Sequence, residues 1–369
     1  RAKPKHSAVQ NEVIKSIVGT VPVNEDGSVA FTAPAGVGLQ LQALDKDGQA
    51  IMTMRSLVYL QPGEVAGCVG CHEPRGSTPV NKPLTSLDLK TITPSPISNY
   101  PGGLRFMPTV QPVLDRHCIQ CHGLKEKLAG NLNLLGMMEN SRGQFARPEK
   151  LSFVNFKDRI ACSSSYSALI SHKDLVRLAH RNKETPYSTP KDYFSHASKL
   201  PAILDKHNGV KLSAGDRQRI IDWLDLNCQF YGHYGFNRIE ERLIDANGEK
   251  ALRAFITKRF GKELAAQPYA ALVNVGDTNQ SRLLLAPLPS KNGGWAQISR
   301  GYKSKTDADY LTAKKLIEAS LMPLEHQNTP WGTDTGKRSQ CEWVKPAEEN
   351  YRQQFWIKAL APTKTKSKK

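Results

Sequence analysis

Two pentads of one pattern, Cys68-Val69-Gly70-Cys71-His72 and Cys118-Ile119-Gln120-Cys121-His122, constrain this chain more than anything else in it. With 7 cysteines and 10 histidines in 369 residues, chance supplies only about 0.004 such pentads. Their spacing has a chemical reason. Two thiols three residues apart can each form a thioether to a vinyl group of one porphyrin, and the next residue, a histidine, then lies under the iron as proximal ligand. The pattern therefore predicts two covalently bound haem c groups. One sits on Cys68 and Cys71 with His72 as metal ligand, the other on Cys118 and Cys121 with His122.

Zinc is the weaker reading. A zinc site of two Cys-x-x-Cys pairs usually separates them by roughly 15–20 residues, whereas Cys118 lies 47 positions beyond Cys71 and each pair carries its own histidine. A redox dithiol would occur once, opening a helix in a βαβ unit. In bacteria covalent haem attachment takes place outside the cytoplasm, so the motif places the chain in the periplasm or another extracytoplasmic space. Arg1-Ala2-Lys3-Pro4 reads as the interior of a longer precursor whose export signal lies upstream.

The formal net charge is +17, a balance that suits an acidic partner. The basic residues are scattered apart from a tail at Lys364, Lys366, Lys368 and Lys369. No aromatic-interleaved signature or finger spacing accompanies them, so no nucleic-acid partner is expected. Nor does any apolar run approach the 18 or so residues that a spanning helix needs. The partner expected is an acidic redox protein, with the chain as a subunit of a larger multihaem complex.

The fold class read from the pattern is α+β, a small antiparallel β unit followed by a mainly helical cytochrome c-like domain. Residues 1–100 form the β-rich part, in which short apolar alternations are separated by Asn24-Glu25-Asp26-Gly27 and Asp45-Lys46-Asp47-Gly48. Both turns end in the Asp-Gly that favours hairpins. The first pentad follows Gln61-Pro62-Gly63 within five residues, and six prolines from Pro74 to Pro101 mark a linker or a loop over a haem face. Residues 101–361 form the helical domain. A short helix with Pro112 in its first turn leads into the second pentad, and helices follow at Leu175–Leu178, at Leu200–Leu204 and from Ser213, where Ser213-Ala214-Gly215-Asp216 resembles a capping box. Two more are expected at 238–260, interrupted by Asn247-Gly248, and at 308–321; residues 362–369 read as a disordered basic tail.

Several segments resemble one family. Gly27-Ser28-Val29-Ala30-Phe31, Gln42-Ala43-Leu44-Asp45, Met54-Arg55-Ser56 and Gln61-Pro62-Gly63-Glu64, with the first pentad and Glu73, are similar to the middle domain of the hydrazine synthase alpha subunit and its planctomycete-type dihaem cytochrome relatives. Val110-Gln111-Pro112-Val113-Leu114-Asp115, Val210-Lys211-Leu212-Ser213, Trp223-Leu224-Asp225-Leu226-Asn227, Ser281-Arg282-Leu283-Leu284 and Gly293-Gly294-Trp295 continue the resemblance, from about residue 15 to about residue 345. It implies a middle domain with one haem and a C-terminal cytochrome domain whose haem has two histidine ligands. In the hydrazine-forming enzymes the first haem is catalytic, its pentad histidine binds zinc, and a tyrosine shortly downstream ligates the iron. Here His72-Glu73-Pro74-Arg75-Gly76-Ser77-Thr78-Pro79 contains no tyrosine, a departure from that pattern.

For the sixth ligand of the second haem, His207 is the first candidate, since it precedes the Ser213 helix where the relatives usually have a histidine and neutral imidazole binds iron well. His196 is the second. His117 reads as a structural neighbour of its pentad, and Met52, Met54, Met137 and Met138 as packing residues. Cys162, Cys228 and Cys341 are left over. Two functions follow: a dihaem electron-transfer protein, or a catalytic redox subunit acting on a small nitrogen compound at an open first haem, where His72 has no sixth ligand nearby.

Overall fold

The computed structural model describes residues 7, 13–54, 56–68, 90, 93–94, 103–138, 162–172, 174–179, 189–207, 209–232 and 239–323. Cys71, His72, Cys341, nearly all of the proline-rich segment and the basic tail lie outside these residues. The architecture is α+β, with short antiparallel strand pairs up to residue 94 and helices from Phe106 onward.

Turn chemistry builds the strand unit. In Asp45–Gly48, Asp45 Oδ1 accepts the backbone N–H groups of Asp47 and Gln49, both at 2.9 Å. Gly48 takes φ +74°, a left-handed conformation that costs a residue without Cβ little. The hairpin of Gln42–Leu44 and Ala50–Thr53 results, with Gln42 opposite Thr53. Gly38–Leu39 pairs with Val58–Tyr59, and Gly19–Thr20 with Thr93–Pro94. These are three separate two-stranded ladders. Their strands are short, and Leu41, Leu44, Leu57 and Tyr59 stay exposed, so among the described residues the apolar alternation closes no core of its own.

What the unit lacks in core it gains by docking on helices. Asp225 accepts the N–H of Ala50 at Oδ2 and of Ser195 at Oδ1, both at 2.9 Å, and its carbonyl accepts Gln42 Nε2 at 2.8 Å. Gln229 binds Lys15 through both its amide atoms and also donates to the Leu104 carbonyl at 2.6 Å.

The helical region holds two hydrophobic clusters. In the first, Phe106, Tyr166, Trp223 and Phe230 pack edge-on and stacked with ring centroids 4.9–6.1 Å apart. The polar handles of two of these aromatics are satisfied by the chain just beyond Trp223: Trp223 Nε1 donates to the Gln229 carbonyl at 3.1 Å and the Tyr166 hydroxyl to that of Cys228 at 2.6 Å. The second gathers residues from Leu252 to Leu321. The Arg105–Glu240 ion pair at 2.7 Å and a bond from Asn274 Nδ2 to the Met107 carbonyl join the two.

Two helical expectations are corrected. Leu175–Leu178 forms no helix, because neighbours claim its backbone: the Leu175 and Arg177 carbonyls accept from Leu200 and Phe194, and the Arg177 N–H donates to Ser198 Oγ. Asn247-Gly248 does not interrupt the helix Ala246–Phe260 but lies in its first turn, capped by Asp245. A Cβ on Gly248 would stand 2.0 Å from the Ala319 carbonyl oxygen, so glycine here permits close approach of the helix Ala308–Ala319.

Candidate functional site

The helix Gln111–His117 has Pro112 in its first turn and buries Gln111 through Asp115. It passes through Cys118, whose N–H donates to the Leu114 carbonyl at 2.8 Å, into the short helix Ile119–His122. Ile119, 1% exposed, anchors the pentad in the first core, while Cys118 and His122 are half-buried and Cys121 is exposed. The returning chain closes over this helix: Leu134 N–H donates to the His122 carbonyl at 2.7 Å.

His122 Nδ1 lies 2.9 Å from the Ala129 carbonyl oxygen. A carbonyl can only accept, so Nδ1 carries the proton and Nε2 keeps its lone pair for a metal. Burial holds the imidazole below its ordinary pKa; the Ala129 bond works against that shift and the nearby His207 ring adds to it. The ring is therefore kept neutral, the form that ligates.

His207, 85 positions along the chain, brings its ring to 5.8 Å from that of His122 between centroids, with 30° between the planes. Two imidazoles bound to opposite sides of one metal, at metal–nitrogen distances of about 2 Å, place their centroids about 6 Å apart. Both loops are fastened. Asp205 pairs with Arg217 through two bonds of 2.9 and 3.2 Å, and the His207 carbonyl accepts Val210 N–H at 2.8 Å. Asp216, in the Ser213-capped helix Ala214–Asp225, takes His117 at 3.2 Å and Arg116 at 3.3 Å. It thus ties the helix after His207 to the helix before the pentad, and these bonds hold its carboxyl below the usual range.

The donor chemistry suits a haem. Burial, with Asp115 and Cys121 adding to it, pushes the Cys118 thiol up to about 12. A thioether there would carry no charge to desolvate. The two imidazoles would give a haem iron two nitrogens beyond those of the porphyrin itself. Among the described residues no cluster of three or more His, Cys, Asp or Glu is placed to hold a bare metal ion.

His196 stands elsewhere, beside the hairpin turn, with Nε2 2.9 Å from Asp45 Oδ2 in an ion-pair contact rather than a well-directed hydrogen bond. Of the first pentad only Cys68 is described, and it is exposed. Sequence reasoning missed the Ala129 carbonyl, which no side-chain pattern announces, and the His117–Asp216 tie. Its one signal was His117 standing next to the pentad.

Residues 3–73 match the model of the hydrazine synthase alpha subunit middle domain, an interval that contains the whole first pentad. A solved structure of Kuenenia stuttgartiensis hydrazine synthase matches at 17% identity over 54% of this chain and 31% of its own, with a TM-score of 0.28. The chain thus spans just under a third of that chain's length. No curated protein matches.

Proposed function

We propose that this chain, hydrazine synthase alpha-like through residues 3–73, is an extracytoplasmic dihaem c-type protein that transfers electrons. The observation that carries the reading is the 5.8 Å pairing of His122 and His207 beside Cys118 and Cys121. Cys118 and Cys121 would hold the group through thioethers, and His122 Nε2 and His207 would supply nitrogen ligands to its iron. A haem in this place supplies one-electron redox chemistry. The rest is done by the chain's own residues. The Ala129 carbonyl orients the His122 ring and makes it more electron-rich, and a second imidazole in place of methionine favours a lower potential. Cys68, Cys71 and His72 would hold the other haem.

A mass exceeding the polypeptide by two haems, retained after acid–acetone extraction, and a low-spin spectrum support the proposal. Replacing His207 by alanine should convert one haem to high spin and open it to CO. An unchanged spectrum in that variant refutes His207 as ligand, and a protein that loses all haem on extraction refutes the covalent attachment.

One observation favours a second reading for the first haem: its pentad lies inside the interval matching the hydrazine synthase alpha subunit middle domain. In that reading the haem on His72 keeps an open side for a small nitrogen compound and the second haem exchanges electrons with it. CO binding by the reduced wild-type protein at one haem supports this reading, and CO binding at neither removes it.

A further inference from the structure

We infer that the face where the His122 and His207 loops meet is the docking surface for an acidic protein partner, with Lys125, Lys127, Lys206 and Lys211 as its attracting charges. The inference rests on the haem reading of that pair. Lys125 and Lys127 follow His122 by three and five residues; Lys206 precedes His207 by one and Lys211 follows it by four. At no more than about 3.6 Å per residue, all four backbones lie within about 18 Å of their own histidine, and the two rings are 5.8 Å apart. All four lysines are exposed, and among the described residues none stands in an ion pair.

The carboxylates of these loops do not cancel them. Asp205, which Lys206 also faces, is bound to Arg217, and Asp216 is bound to His117 and Arg116. That leaves exposed Glu126 against four lysines. Arginines elsewhere are paired, as in Arg253–Glu249 and Arg259–Asp309, and other lysines are exposed as well, so what singles out these four is their place beside the His122–His207 pair. Ile203, 37% exposed four residues before His207, adds a small apolar spot.

The chemistry of the occupant follows. Neither loop, 120–128 or 205–212, carries a Phe, Tyr or Trp on which a base could stack, which disfavours single-stranded nucleic acid. Transient redox encounters are small, electrostatically steered and lightly apolar, which is what a few lysines around one isoleucine provide. The partner is therefore a protein presenting a carboxylate-rich patch. Such a partner reaches the face quickly and leaves it quickly, since exposed charges steer association strongly and hold weakly.

The test uses the haem-loaded protein. Ferricyanide oxidises the reduced protein by taking one electron and becoming ferrocyanide, with no proton or bond exchanged. The rate should fall at least about fivefold between low salt and about 200 mM salt, and polyglutamate should slow it at low salt. In K125E/K127E/K206E/K211E the low-salt rate should fall about tenfold, the salt dependence should flatten or reverse, and polyglutamate should lose its effect. In K250E/K262E/K314E/K315E, with the same change of charge on exposed lysines of the second helical cluster, the wild-type behaviour should persist. Equal responses from the two variants, or no competition by polyglutamate, overturn the docking face. A mixed-sequence DNA duplex that competes better than polyglutamate overturns the assignment to a protein. The absorption spectrum separates the two levels: absence of a low-spin haem in the wild type sinks the haem reading and this inference with it, whereas an intact spectrum with an unmoved salt slope sinks the inference alone.

Discussion

Asp115 lies three residues before Cys118, 4% exposed, and burial carries its carboxyl up to about 7 even though Gln111 donates to it and Arg282 attracts it. Replacing it with asparagine keeps an oxygen to accept from Gln111 Nε2, now at 2.8 Å, and removes the charge. The magnitude follows from linkage. With a raised folded pKa, the native state binds more protons than the unfolded state between about pH 4 and pH 7, so the wild type loses stability as pH rises through that window. From the ordinary value of 3.8 to about 7 is roughly three units, or about 4 kcal/mol at 1.36 kcal/mol per unit. Asp115→Asn should therefore be more stable than the wild type by up to about 4 kcal/mol at pH 8, by less than about 2 at pH 5, and by nothing near pH 3. Urea unfolding of both proteins at these three pH values, followed by circular dichroism, reads the difference directly. A stability gap that does not change with pH, or a variant less stable than the wild type at pH 8, would refute the reasoning. Asp222, pushed up to about 6 by burial first of all, slopes the wild-type curve in the same direction.

Asp216→Asn should cost about 1–2 kcal/mol at pH 7. Its carboxyl is held low in the fold, so that loss should shrink as the pH falls below about 4, which unfolding at pH 7 and pH 3 would compare. Tyr166→Phe removes the hydroxyl that donates to the Cys228 carbonyl at 2.6 Å and should cost about 1 kcal/mol or somewhat more, measured the same way. Gly301→Ala should cost at least about 2 kcal/mol, because its Cβ would stand 1.8 Å from the Pro287 carbonyl oxygen, a backbone atom with no side-chain rotation to move it aside; an unshifted thermal midpoint would show that this segment yields.

The parts of the fold legible beforehand are those whose cause is local. Asp45 and Gly48 make their turn with atoms two to four residues apart, and Ser213 caps its helix by accepting Asp216 N–H at 3.1 Å. Leu175–Leu178 misled because Leu200, Phe194 and Ser198 satisfy its backbone, and no window of neighbours contains them. Gly248 misled for a related reason. It reads as a helix breaker, yet what selects it is Ala319, 71 positions away. The division of the helical region into two cores was likewise invisible, since leucine, isoleucine and tyrosine occur in both and nothing local says which core each joins.

The same division between local and distant causes runs through the candidate site. The pentads announce themselves because the proposed thioether chemistry would demand a fixed spacing within five residues, a demand that would operate before any tertiary structure exists. The second imidazole needs only to arrive, so its position relative to Cys118 is free in sequence and set by the fold alone. What makes it arrive is a set of ordinary contacts: Ile119 in the core, Leu134 on the His122 carbonyl, Arg217 on Asp205, and Asp216 reaching from the Ser213-capped helix to His117. None of these residues carries a signature of metal chemistry, yet the 5.8 Å between the two rings depends on them. The His122–His207 pairing is thus a property of the helical packing, and any variant that loosens the Asp216 tie should be felt at that pair before it is felt in the strand unit.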